Sequence, residues 1–304
     1  MKTIKRWKRS LYKKLVKYNV ISPKVIVLMD GGICSQMFQY LIGRIYEEKG
    51  YNVVFDLTFY EEWGSDMNNQ FVRNFDLLKA FPNLKVKIAS DLMISVYKQK
   101  CFNLGNNTYG RVDDFSFLQK KPPIYLGGYY YLPTECWIPV FKSTFRITAN
   151  ILDEVNRQLC LNIASKTCSV AVHVRRGDLK VEIPAYGKPA SLDYFQSAVS
   201  YMQEKVDRPY FYFFSDEPDW VCENLVPYLK LVQNENCHVV NINGSDKGYQ
   251  DLFLIAHCTH QITSKGTLGK YGALLNDDVS KIVVLCDDET EYPWKEIFFN
   301  SIFL

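Results

Sequence analysis

Residues 169–180 read SVAVHVRRGDLK: an uncharged run, apolar on both faces, that ends in two arginines and an aspartate. A strand apolar on both faces belongs in a parallel sheet covered by helices on each side. The same pattern recurs. KVIVLM (24–29), NVVFD (52–56), KPPIYLGGYYY (121–131), PYFYFF (209–214), CHVVNI (237–242), HQITS (260–264) and KIVVL (281–285) are further strand candidates. Between them ICSQMFQYLIGRIYEEKG, ASLDYFQSAVSYMQEKV, EPDWVCENLVPYLK and DKGYQDLFLIAHC carry helical periodicity, with Ser191 and Asp216 as N-cap candidates. Alternation of this kind predicts a doubly wound α/β fold.

Two such sheets fit 304 residues better than one. The stretch 57–120 is irregular and polar, and Pro122, Pro123, Pro133 and Pro139 punctuate the passage that follows. A boundary is expected between 145 and 165, giving a helix over 1–24, a first domain over 25–155 and a second over 156–304.

The net charge of +3 conceals an asymmetry. Residues 1–24 hold nine Lys/Arg and no acid, so the remainder carries 27 basic against 33 acidic side chains. Within that segment Ile4, Trp7, Leu11, Leu15 and Tyr18 recur at helical spacing, as in a helix lying on an anionic membrane surface. Docking on its own domain or a nucleic-acid arm are the alternatives. No apolar run reaches the ~20 residues that span a bilayer, so the expected location is cytoplasmic, peripheral at most on the inner face of the membrane. Nine scattered cysteines, never spaced C-x-x-C, argue for reduced thiols rather than a disulfide framework or zinc ribbon. The HCTH cluster (His257, Cys258, His260) lacks a second ligand pair and reads as ordinary histidines.

The arginines carry the chemistry. A strand ending in His173, Arg175, Arg176 and Asp178 delivers two guanidinium groups to the carboxyl edge of a parallel sheet, where open α/β sheets bind ligands. Residues 175 and 176 point to opposite faces, so one can meet a phosphate while the other holds a carboxylate. Asp216 follows the carboxyl end of the next strand, and Thr267 opens a helix whose first-turn amides suit an anion. The glycine pair in DGGICSQMFQY (30–40) marks a tight turn before a helix. No G-x-x-x-x-G-K-[ST], strand-borne G-x-G-x-x-G or D-x-D occurs. A bound diphosphate would therefore be neutralised by arginine and a helix N-terminus, without a metal.

Four segments in order, GGICSQMFQY (31–40), HVRRGD (173–178), FSDEPDW (214–220) and DLFLIAHCTHQITSKGTLGKYGALLN (251–276), resemble the motifs of glycosyltransferase family 11, the α-1,2-fucosyltransferases. The resemblance implies a GT-B type fold, two Rossmann-like domains facing across a cleft, with GDP-fucose as donor and no metal. It implies inverting transfer of fucose to a galactose-terminated glycan in cell-surface polysaccharide or lipopolysaccharide synthesis. Arg175 would contact the β-phosphate, and His173 and Asp251 would lie at the guanosine end. Thr267 would reach the diphosphate, Asp216 would line the nucleotide wall, and Arg176 and Asp178 would support the loop. Asp178 and Asp30 are candidates for the general base, and Gly31, Gly32, Ser35 and Gln36 would face the donor and acceptor. The sequence departs from the pattern where Cys34-Ser35 replace Gly-Asn and where 264–271 read SKGTLGKY for ANSSFSWW. An altered donor or acceptor, or a GDP-sugar-binding member with little activity, is the alternative expectation.

Overall fold

The computed structural model describes residues 2–66, 71–104, 115–128, 130, 132–181, 187–288 and 292–304. Parts of the irregular 57–120 stretch (67–70 and 105–114) and residues 129 and 131 of the 121–131 strand candidate lie outside them. The chain divides into two compact units, Met1–Phe145 and Arg146–Leu304.

The first unit is built on a parallel sheet of order β2-β1-β3, with β1 (Val25–Leu28), β2 (Val53–Asp56) and β3 (Ile124–Leu126). Single bridges at Ile88 and Asn103 extend it on either side. Helix α1 (Lys2–Lys17) packs on α3 (Asp91–Tyr97), so the basic segment is part of this unit rather than a separate body. Helix α2 (Ile33–Glu48) follows β1, and α4 (Thr134–Thr144) packs against it. Pro139, read as punctuation of this passage, lies inside α4. The helix survives because it is anchored by buried Trp137, Val140 and Phe141.

In the second unit, six parallel strands are β4 (Ser169–Val174), β5 (Tyr210–Ser215), β6 (Cys237–Val240), β7 (His260–Ile262), β8 (Val283–Leu285) and β9 (Ser301–Phe303). Their order is β9-β8-β7-β4-β5-β6. Counted within the unit this is 3-2-1-4-5-6, the dinucleotide-binding arrangement. Side-chain alternation sends Val170, Val172, Val174, Phe211 and Phe213 to one face, against Phe195, Ala198 and Met202 of α6 (Leu192–Lys205). Ala171, Tyr212 and Phe214 go to the other. There they meet Ile163 of α5 (Glu154–Ala164) and Leu254 and Ile255 of α7 (Gly248–His257). Both faces are covered, which is why β4 is buried along its whole length. Helix α8 (Leu268–Leu275) follows β7.

The units part at Phe145/Arg146, the early end of the expected 145–165 window and ten residues before the bound at 155. Residues ahead of α5 are tied to α7: Lys247 Nζ reaches Asp153 (3.0 Å), and Gln250 donates to the carbonyl of Ile151 (3.1 Å). Ser191 caps α6 by accepting from the Tyr194 N–H (3.1 Å). The 218–228 stretch is not one helix but two short pieces around a wider π turn at 221–225. Pro227 has no N–H to continue the regular ladder.

Candidate functional site

Strand order reverses between β4 and β7, which pair from Val170–Val172 to His260–Ile262. Their outgoing turns therefore lie side by side at the carboxyl edge, and side chains lock them together. The Arg175 N–H donates to Ser264 Oγ (3.0 Å), which lies 3.5 Å from His173 Nδ1. Arg175 Nε donates to Asp178 Oδ1 (2.9 Å), and a second guanidinium nitrogen donates to Oδ2. This bidentate grip fixes the plane of a side chain that remains 29% exposed, while the Asp178 side chain is only 9% exposed. Gly266 has φ of +86°, and a Cβ there would stand 2.8 Å from Arg175 Cδ and closer still to Nη1. Glycine is required on both counts.

His173 is buried beneath this turn. Burial, helped by the charges of Arg175 and Lys270, pushes its pKa down to about 3, so it is a neutral ring at ordinary pH. Gly269 of α8 makes room for it, since a Cβ there would stand 2.8 Å from that of His173. Thr267 caps no N–H of α8 with its hydroxyl and is exposed at the helix N-terminus. Two lysines missed as site residues also converge here. Lys270 is buried, with Nζ donating to the Ser264 carbonyl (3.3 Å) and 5.7 Å from the centre of the Trp294 ring. Lys265, also buried, pairs with Asp288 (2.5 Å). Their positions at a strand-to-helix turn were the available signal.

Asp216 and Arg176 brace the turn that follows β4. Both oxygens of Asp216 accept backbone N–H groups, from Arg176 (3.0 Å) and Gly177 (2.9 Å), so it neither caps a helix nor presents a free carboxylate. Burial raises its pKa, against the pull of those two N–H groups. Arg176 pairs with Glu217 (3.2 Å) and lies 3.4 Å over the Trp220 ring, with Lys180 on the same Glu217. Asp178, committed to Arg175, is poorly placed to take a substrate proton. Asp251 stands apart on α7, accepting from Asn243 Nδ2 (2.7 Å), whose side chain also bonds Asn156. Burial of its carboxyl raises the pKa to about 7.

In the first unit, Gly31 has φ of +68° and Gly32 precedes α2 in extended backbone. A Cβ on Gly32 would lie 3.7 Å from an Arg73 guanidinium nitrogen. Gln36 does not face a ligand. It is fully buried: Nε2 donates to the carbonyls of Gly31 (3.1 Å) and Asn74 (2.8 Å), and Oε1 accepts from the N–H groups of Asp76 and Leu77 (2.9 Å each). Every hydrogen-bonding position of that amide is filled. Cys34 is buried and Ser35 half-buried. Asp30 exchanges two bonds with Gln39, its N–H to Oε1 (3.0 Å) and its Oδ1 from Nε2 (2.6 Å). Sequence reasoning passed over Asp56, a fully buried carboxylate at the end of β2 held by Tyr125 Oη (2.7 Å), Thr58 and Lys98 (3.1 Å). Burial pushes its pKa up, but those hydrogen bonds win and hold it low. Its signal was a charge closing an otherwise apolar strand.

A parallel sheet whose order reverses beside a positioned arginine and a helix N-terminus defines a doubly wound α/β protein, a class in which ligands bind at the reversal. The chain belongs to glycosyl transferase family 11, matched over residues 84–299. With two units built on parallel sheets, it has the GT-B class of fold that this membership implies. Among solved structures it is similar to the ADP-heptose lipopolysaccharide heptosyltransferase II of E. coli, at 13% identity over 92% of this chain and 90% of that one (TM-score 0.47). It is also similar to the NodZ α-1,6-fucosyltransferase co-crystallised with GDP, at 12% identity over 84% and 93% (TM-score 0.47). POFUT1 in complex with GDP-fucose shows 11% identity over 84% and 93% (TM-score 0.46). No curated protein matches the sequence.

Proposed function

We propose that this glycosyltransferase moves fucose from GDP-fucose to a hydroxyl of a galactose-terminated glycan, forming an α-1,2 linkage with inversion, in synthesis of a bacterial cell-surface polysaccharide or lipopolysaccharide. The observation that carries this reading is Arg175, held in one plane by Asp178 at the strand-order reversal of a family 11 chain. A guanidinium there neutralises the charge that develops on departing GDP, worth on the order of 2.7–4 kcal/mol in the transition state. Thr267 and the first turn of α8 add neutral donors to the same phosphates. Charge neutralisation by these groups leaves no step that needs a metal, so chelator should not slow transfer. Asp251 and the neutral His173 serve the nucleoside side. The general base is assigned to neither Asp178 nor Asp30, both of which hold other side chains. An acceptor built at the inner face of the cytoplasmic membrane places the enzyme there as a peripheral protein.

Lys265 and Lys270, buried where the family pattern has amide and indole, favour a second reading in which the donor differs or turnover is low. Thermal shift with GDP-fucose, GDP-mannose and UDP-sugars, followed by transfer to a panel of β-galactosides, separates them. GDP-fucose should stabilise and be consumed, and Arg175→Ala should abolish transfer with the fold intact. Stabilisation by UDP-sugars alone would overturn the donor assignment, and GDP binding without turnover would favour the second reading.

A further inference from the structure

We infer that the first helix seats the protein on an anionic lipid bilayer through a face that the fold leaves outside. Helix α1 has two apolar sides. Tyr12 and Val16, one turn apart, face inward: Val16 is fully buried with Ile26, Val54, Ile94 and Tyr97, and Tyr12 packs against the same cluster. The stripe of Ile4, Trp7 and Leu11 lies roughly 130° around the helix from that side at about 100° per residue. It is exposed: 62% for Ile4, 63% for Trp7 and 40% for Leu11, with Tyr18 just beyond at 71%. Packing within the unit therefore uses one side of the helix and leaves the larger apolar stripe in water.

The occupant of that stripe is identified by charge. Eight of the sixteen residues of α1 are Lys or Arg, and none is acidic. Polyphosphate backbones would satisfy the cations but offer nothing to Ile4, Trp7 and Leu11. A membrane of anionic headgroups satisfies both, taking apolar side chains to the acyl boundary and leaving long cationic ones among the phosphates. Tryptophan suits that depth. Since the opposite side of α1 is packed on α3 and the first sheet, seating would hold the first unit at the surface. Among the described residues no helix is long and apolar enough to cross a membrane, so the contact is interfacial.

Co-sedimentation of the full chain with vesicles of phosphatidylcholine, with and without about one-third phosphatidylglycerol, tests this. Binding is expected only to the anionic vesicles and should weaken with salt. Trp7→Ser with Leu11→Ser keeps every charge and should lower the partition coefficient about tenfold or more. Its thermal midpoint should not move, because both side chains are exposed. Lys5→Glu with Arg9→Glu should abolish binding. Absence of binding to anionic vesicles, equal binding to neutral ones, or an undiminished double-serine variant would overturn the proposal. So would retention on duplex DNA that survives the serine changes while vesicles stay unbound.

Discussion

Arg175 lies against Gly266, so close that the backbone of one turn leaves no room for a methyl group beside the guanidinium of the other. Gly266→Ala would meet two penalties, a left-handed backbone costing about 1–2 kcal/mol and displacement of Arg175. Transfer should fall roughly 100-fold, the scale of losing one transition-state donor. Stability from a thermal melt and kcat from initial rates check the two effects separately. A variant of full activity would remove Arg175 from the reaction.

Asp178 grips Arg175 with both oxygens and so acts as a positioning group. Asp178→Asn keeps the shape but loses the charge-assisted pairing, and kcat should drop about 10- to 100-fold, with the pH dependence of kcat unchanged in form. Loss of the acidic limb of that profile would instead make Asp178 the base.

The raised pKa of Asp251, about 7, has a sign that can be checked. The folded state holds a proton that the unfolded chain releases near pH 4, so this residue makes stability fall as pH rises from about 4 to 7, with a plateau above. Asp251→Asn should raise neutral-pH stability by on the order of 1–2 kcal/mol, less than full linkage because the residue is partly exposed. At pH 4 the two proteins should match. His173 works oppositely: its depressed pKa costs stability as pH falls from about 6.5 to 3.

Gln36 joins the glycine turn to residues 74–77 with one amide. Gln36→Met preserves volume and breaks four hydrogen bonds, at a cost of about 2–4 kcal/mol. GDP affinity, if carried by the second unit, should be retained in the folded protein. Calorimetric unfolding and GDP titration report the two outcomes.

Legibility in the sequence followed the physics of each feature. Strands such as 169–174 and 210–215 were plain, because helices on both faces demand unbroken apolar runs. Edge strand β9, three half-buried residues, carries no such demand and was missed. His173, Arg175 and Asp178 were placed together by their nearness in sequence and strand-end position. The hydrogen bonds of Gln36 and Asp216 were not legible because their partners come from other loops: residues 74–77 for Gln36 and the 176–177 turn for Asp216. Periodicity found the apolar stripe of α1, but only tertiary packing distinguishes it from the pair Tyr12 and Val16 that docks.

The bond from the Arg175 amide to Ser264 spans 89 residues of chain, and β4 has no neighbour on that side until β7 is in place. During synthesis the earlier strands β4, β5 and β6 can assemble while the ligand edge is still half made. The carboxyl edge at Arg175 and Ser264 is thus the last part of this sheet region to be completed: a clipped or nascent chain that stops before β7 holds only half of it, however well β4, β5 and β6 have formed.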